Sequence, residues 1–406
     1  MAGLPGTNPD VNPDTRPALA YVVHLLYPFR LHVQHQIAKE LPELHLHTLV
    51  TWDQRQHQWT FAEDPAIGLR FMPDGPTEQE FSGWRGKLKD WHAGAHLINW
   101  FKEHKPAAVV MCGYAFPAHR RAIRWLKRNG VPYMLWSDSN HLDDTATGLK
   151  RFLKDKLVRP VVRDASAILV CGTNGSKYYA RYGATPDKTF LCPVVPDCSL
   201  IENCPVERVA DVRTRFGLSP QRRRFMHCAR LIPLKSTDNL VRAFIEIAPQ
   251  RPDWDLVIVG DGPLRPVAES LVPASLKSRV IFTGFTTDQA TTAAIERTCD
   301  VLVHPGYSEA WGVVLLEAAA AGMAIIASDV VGAASDFVFE GVNGFQVPPR
   351  DVPRLAAAML KVSGDEASLA RMKNESRRIS LEFRQRADPV NGLRQALARA
   401  EVLKRT

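Results

Sequence analysis

Two carboxylates eight positions apart, Glu309 and Glu317, bracket the run Ala310-Trp311-Gly312-Val313-Val314. Before them, Val301-Leu302-Val303 reads as a buried strand, ended by Pro305 and Gly306. Ser308 is the expected helix N-cap, and Gly312 would let a ligand approach the backbone closely. From Val313 to Ala321 the chain is apolar on nearly every face except at Glu317, the pattern of a buried helix. A carboxylate there needs hydrogen-bond partners. If the segment were helical throughout, the two carboxylates would lie ~12 Å apart along the axis. Between them sit the free N–H groups of a helix start, which suit an anion such as phosphate. Carboxylates beside a phosphate should meet hydroxyls, because like charges repel. Hydroxyls on both sides of a diphosphate describe a nucleotide sugar. Pattern alone leaves a second reading open, in which Glu309 is a solvated loop acid and Glu317 a paired core carboxylate.

A second piece of the same chemistry is cationic. Phe225-Met226-His227-Cys228-Ala229 reads as a strand and runs into Arg230, with Lys235 five residues later, ahead of a helix beginning near Thr237. Cations at the carboxyl end of a strand can grip a diphosphate from the side opposite a helix start. Leu256-Val257-Ile258-Val259 ends in the turn Gly260-Asp261-Gly262. Asp253-Trp254-Asp255 has the acid-x-acid form of a metal clamp, but it precedes its strand and so lies at the wrong end of a sheet. No catalytic metal and no cofactor are expected.

These pieces need a scaffold. Apolar runs recur at Tyr21 to Leu26, Leu46 to Thr51, Ala107 to Cys112, Tyr133 to Trp136 and Ala167 to Cys171, mostly separated by helix-like segments. Tyr27-Pro28-Phe29-Arg30 reads as a turn and Val33 to Leu41 as a helix. Leu191 to Pro205, rich in Pro and Cys, reads as an interdomain linker. A second series follows, at Phe225 to Ala229, Leu256 to Gly260, Val280 to Thr283, Val301 to Val303 and Ala324 to Ala327. Strands alternating with helices imply an α/β fold, here two Rossmann-like domains whose parallel sheets face a central cleft. The expected divisions are a loose tail over 1–16, a first domain over 17–195, a second over 196–382 and a final helical segment over 383–406.

The 406 residues are 45% hydrophobic and 23% charged, enough for two cored domains. No apolar run reaches the ~18 residues of a membrane span. The beginning, with Pro5, Asp10, Pro13 and Asp14, lacks the basic-then-apolar order of a signal sequence. The seven cysteines fit no zinc spacing and read as reduced thiols of a cytoplasmic protein. A net charge of +8 favours an anionic partner: nucleotide sugar, acidic lipid or nucleic acid. Two stretches, Trp84 to Lys105 and Lys150 to Arg163, mix aromatic and aliphatic residues with cations. Such a helix can lie on an anionic membrane or pack as an ordinary surface helix; the ordinary reading is preferred for both.

From Phe225 to Asp351 the chain resembles retaining glycosyltransferases of family 4, which have two Rossmann-like domains in the arrangement called GT-B. The resemblance is carried by Ala229-Arg230-Leu231-Ile232-Pro233-Leu234-Lys235, then Val257 to Pro263 and Val280 to Phe285. It continues through Glu309-Ala310-Trp311-Gly312 with Glu317-Ala318, Ala327 to Gly332, and Gly341-Val342-Asn343-Gly344-Phe345. It implies that Arg230 and Lys235 bind the donor diphosphate and that Glu309 contacts the transferred sugar. It further implies that Gly312, Val313 and Val314 offer backbone N–H groups, that Glu317 holds the ribose, and that Gly260, Asp261 and Phe285 lie on the donor side. The family keeps the anomeric configuration, and its last helix, matched by Phe383 to Ala400, crosses back onto the first domain. The acceptor side departs from the family. Tyr27-Pro28-Phe29-Arg30 replaces a glycine-rich loop, and Ser137-Asp138-Ser139-Asn140, with His141 beyond, replaces a histidine. Ala229 and Val331 stand for common glycines. Arg30, Asp138 and His141 are the candidates there, with capping as the alternative for the last two.

The leading expectation is therefore a metal-independent hexosyltransferase. It would act from a UDP- or GDP-sugar onto a glycan or lipid-linked acceptor in polysaccharide or glycolipid synthesis, in the cytoplasm or peripherally at the inner face of the membrane. A nucleotide-sugar epimerase of the same architecture, or a non-catalytic basic protein on membrane or nucleic acid, are the alternatives. No motif supports nucleic acid, which is not an expected partner.

Overall fold

The computed structural model describes residues 16–55 and 59–403. The expected tail over 1–16, apart from Arg16, lies outside the described residues. Alternating apolar runs become strands that pair only in parallel, in two sheets. The first contains β1 (Ala18–Val23), β2 (His45–Val50), β3 (Arg70–Phe71), β4 (Ala108–Cys112), β5 (Tyr133–Ser137), β6 (Ala167–Val170) and β7 (Thr189–Leu191), in the order β3-β2-β1-β4-β5-β6-β7. The second contains β8 (Arg223–Cys228), β9 (Trp254–Val259), β10 (Val280–Gly284), β11 (Val301–His304), β12 (Ala324–Ser328) and β13 (Gly344–Val347), in the order β10-β9-β8-β11-β12-β13. Each order reverses once, between β1 and β4 and between β8 and β11. A crevice opens at such a reversal, beyond the carboxyl ends of the strands. The architecture is the expected one, two Rossmann-like α/β domains whose sheets face a common cleft.

Several local expectations are corrected. β1 runs from Ala18 to Val23, not from Tyr21 to Leu26; Leu25 and Leu26 are buried beyond the strand. Tyr27 to Arg30 is not a turn. Tyr27 is extended (φ −126°, ψ 156°) and Pro28, with its fixed φ, opens a helix running to Glu40. The stretch 191–205 is not featureless, since Asp197 caps a short helix Cys198–Glu202 by accepting from Ser199 N at 3.0 Å. The end of the chain is two helices rather than one. Glu366–Arg386 stops before Pro389, and Asp388 caps Pro389–Arg399 by accepting from Asn391 N. The second helix lies on the first domain: Cys192 Sγ donates to Pro389 O at 3.4 Å, and Arg394 reaches Glu40 O at 3.1 Å.

Cross-domain bonds hold the cleft walls together. Thr173 donates from its N–H and its hydroxyl to Asp336, at 3.0 and 2.7 Å. Asn174 Nδ2 donates to Gly332 O at 3.0 Å, and the Trp311 indole to Val194 O at 3.2 Å. One continuous apolar core runs beneath the cleft, from Val194 and Cys198 through Trp311 and Ala318 to Leu393.

Candidate active site

The cleft between the sheets has a volume of about 690 Å³. Its second-domain wall begins where β8 ends. The chain leaves Cys228 and passes Ala229, whose N–H bonds to Val259 O, and Leu231, whose N–H bonds to Asp261 O. This tight seam requires a glycine at 260: φ is +127°, and a Cβ would lie 1.9 Å from Ala229 O. The seam holds Arg230 at the cleft edge, largely exposed and 3.6 Å from Glu78 of the first domain. A 3-10 turn, Pro233–Lys235, then points Lys235 inward, and Ser236 in a left-handed conformation leads into the helix Thr237–Ile247.

Lys235, whose side chain is 14% exposed, forms an ion pair with Oε2 of Glu309. His304, at the end of β11, reaches the same oxygen through Nε2 at 3.3 Å. An ionised carboxylate only accepts, so His304 must carry its proton on Nε2. Burial pushes the Glu309 carboxyl up, but the His304 bond and the Lys235 charge outweigh it and hold the group at about 2. No hydrogen bond among the described residues engages Glu309 Oε1.

The helix after Glu309 starts later than expected. It spans Val314–Ala321, with Val313 rather than Ser308 at its N-cap position. Ser308 instead donates across the cleft to Asp143 Oδ1 at 3.2 Å. The reason lies at Gly312. Its φ of +90° breaks the helix, and a Cβ there would sit 2.9 Å from Val331 Cγ1. Leu315 N–H is the first to bond back, to Gly312 O. The N–H groups of Gly312, Val313 and Val314 make no hydrogen bond among the described residues, and all three residues line the cleft. Glu317 lines it one turn further along. Burial pushes its carboxyl up to about 7.

Of the residues singled out from sequence, Arg230, Lys235, Glu309, Gly312, Val313, Val314, Glu317, Gly260, Asp261, Phe285 and Asp138 share this one cleft. Arg30 and His141 are not on its wall. The Arg30 guanidinium stacks 4.2 Å over the Trp136 ring. Burial, then Lys177, pushes the half-buried His141 ring down. Asp255, of the rejected metal clamp, pairs with Arg222 at 2.8 Å. Among the described residues no helix is long and apolar enough to cross a membrane.

Sequence reading missed other members of the site. His304 could have been found as the strand-end residue nearest Glu309. Glu296 belongs to a polar stripe with Gln289 and Thr292, three to four residues apart on one face of the helix Gln289–Glu296. Asn140, Trp59 and Glu78 gave no local signal, because long-range folding brings them in. Asn140 Nδ2 donates to both Glu309 O and Ala310 O at 3.0 Å. Trp59 meets the Phe285 ring edge-on at 5.3 Å between centroids. Chemically, the cleft offers cations and free amides to an anion, with carboxyls on either side of that seat for hydroxyl donors.

Residues 210–379 match the family model described as glycosyl transferases group 1. An α-D-kanosaminyltransferase of Streptomyces kanamyceticus is 28% identical over 75% of this chain and 82% of its own length. A D-inositol 3-phosphate glycosyltransferase of Nocardia farcinica is 32% identical over 47% of this chain and 43% of its own length. An exopolysaccharide phosphotransferase of Streptomyces coelicolor is 36% identical over 34% of this chain, which spans only 15% of that protein. Among solved structures, Anabaena HepE in complex with UDP and glucose superposes with a TM-score of 0.71 at 19% identity, over 96% of this chain and 100% of that one. Sucrose-phosphate synthase from Thermosynechococcus elongatus gives 0.74 at 19%, over 94% and 99%. At these identities the structural likeness is one of fold, and that fold is GT-B. The resemblance read from the motifs of the second domain is borne out.

Proposed function

With its second domain a group 1 glycosyl transferase domain, we propose that this protein is a retaining hexosyltransferase. It moves a hexose from a nucleotide diphosphate sugar to a hydroxyl of a glycan or lipid-linked acceptor, without a metal. The observation that carries the reading is the meeting of Lys235, Glu309 and the unbonded Gly312–Val314 amides in one cleft. In this reading the diphosphate lies on those amides, with Lys235 beside it and Arg230 at the rim. The bond from sugar C1 to the diphosphate oxygen breaks, and the charge that develops on the departing nucleoside diphosphate is met by fixed cations and N–H groups. The acceptor oxygen bonds to C1 on the same face, and its proton passes to the leaving diphosphate. Glu309 Oε1 takes a sugar hydroxyl while Oε2 stays tied to Lys235 and His304. Glu317 takes the ribose. The acceptor enters past Asp138.

The named activities of the kanosaminyl and inositol phosphate relatives support glycosyl transfer, and the UDP of the Anabaena complex supports a nucleoside diphosphate donor. A membrane-side acceptor is supported by the outer helices of the first domain. Trp84, at 71%, and Phe152, at 53%, are exposed beside Leu88, Leu149 and Leu153, among the cations of Trp84–His104 and Gly148–Asp164. This is more apolar exposure than the ordinary surface reading expected. We place the protein in the cytoplasm, peripheral to the inner face of the membrane. The test is transfer from a panel of nucleotide diphosphate sugars: the wild type should turn over at least one of them, and Glu309→Ala and Lys235→Ala should not. Near-normal turnover by both variants would rule the assignment out.

A further inference from the structure

Glu296 closes the helix Gln289–Glu296, which packs against the helix Val314–Ala321. It is 1% exposed, lines the cleft, and its Oε1 has no hydrogen-bond partner among the described residues. Ile201, Cys228 and Ala293 line the same cleft. A carboxyl so placed is costly unless a ligand supplies a donor. Burial, and next the Glu317 carboxylate, push its proton affinity well up. Glu296 and Glu317 face the same cleft from two helices packed against each other.

Which ligand group they meet follows from the layout. A buried pair of carboxyls brings no cation to a diphosphate and instead suits two neighbouring hydroxyls, which can both donate and accept. The Gly312–Val314 amides hold the diphosphate, and Glu309 lies on the sugar side of it. Glu317 is one helical turn past Val314, about 5 Å along the axis, which is where the group attached to the α-phosphate must fall. In a ribonucleotide that group is a vicinal diol. We infer that Glu296 and Glu317 together seat the ribose of the donor nucleoside, one carboxyl to each hydroxyl. The inference rests on the donor reading above and adds Glu296 to it as the residue that recognises one of the two hydroxyls.

The test is calorimetric titration of wild type, Glu296→Ala and Glu296→Gln with UDP and GDP and with their 2′-deoxy and 3′-deoxy forms. Melting curves without nucleotide show that each variant is folded. The wild type should prefer the ribonucleotide over each deoxy form by about 10- to 100-fold. Glu296→Ala should lose the preference against one deoxy form and keep it against the other, and Glu296→Gln should restore part of it. Unchanged affinities in Glu296→Ala, or an equal loss for the ribo and both deoxy forms, would overturn the inference and leave the donor reading standing. A wild type that binds neither UDP nor GDP would remove both.

Discussion

The ammonium of Lys235 and the carboxylate of Glu309 are ion-paired across 74 residues of sequence, with His304 bonded to the same carboxylate oxygen. The pair joins the loop after β8 to the loop after β11, where the order of the second sheet reverses. Removing either partner leaves the other charge half-buried. Glu309→Gln keeps the shape and removes the charge, so it should lower kcat by about 100-fold or more, with nucleotide affinity changed far less. Single-turnover kinetics separate the two effects.

His304 orients Glu309 and also lowers its proton affinity. His304→Leu should raise the Glu309 carboxyl from about 2, because burial then goes less opposed. The sign follows. A carboxyl depressed in the fold stabilises the chain fully above its unfolded value of 4.5, and this stabilisation is lost as the pH falls through about 2. Below about 4.5 the acid loss of melting temperature should therefore be smaller in His304→Leu and level off at a higher pH than in wild type, and its acid limb of activity should move upward. A superimposable acid limb would show that His304 does not act through Glu309.

Glu317 works in the opposite direction. Its carboxyl sits at about 7 in the fold against 4.5 unfolded, so the folded chain retains a proton that the unfolded chain releases between those values. Its contribution is complete below 4.5 and is lost as pH rises through about 7. Glu317→Gln should flatten the fall in melting temperature between about pH 4.5 and 7. A slope as steep as wild type would assign the effect to another group.

Asn140 ties the first domain to the loop that carries Glu309. Asn140→Asp sets a carboxylate against two carbonyl oxygens and beside Asp143, which already bonds Asn140 at 3.0 Å. Transfer should fall by about 10-fold or more, as buried polar groups lose their partner, while the melting temperature of the second domain holds. Wild-type turnover in Asn140→Asp would show that the contact has no part in the reaction.

The exposed apolar residues give a separable expectation. Trp84→Ser combined with Phe152→Ser should abolish sedimentation with vesicles rich in anionic lipid, and wild-type sedimentation should weaken with added salt. Activity on a soluble acceptor should persist. Equal sedimentation of variant and wild type would remove these helices from membrane contact.

How much of this could be read from sequence depended on distance along the chain. Lys235 and Glu309 were legible because they follow the buried strand ends Cys228 and His304 by seven and five residues, and Glu317 because it is the one charged residue of the apolar helix Val314–Ala321. The buried central strands β4, β5, β9, β11 and β12 were legible as continuous apolar runs. The edge strands β3 (Arg70–Phe71) and β7 (Thr189–Leu191) were not, since two- and three-residue edges carry no such run. The helix start at Val314 is set at Gly312, whose φ of +90° breaks the helix and where Val331 leaves no room for a Cβ, which no local pattern encodes. Asn140, Trp59 and Glu78 reach the site only through tertiary packing.

The most direct measurement is calorimetric titration of wild type and Lys235→Ala with UDP and with GDP. Wild type should bind at least one of them, and Lys235→Ala should bind it about 10-fold more weakly or worse, as expected when a cation is removed from a phosphate. Equal affinity in both proteins, or no binding by the wild type, would contradict a diphosphate seat between Lys235 and the Gly312 amides.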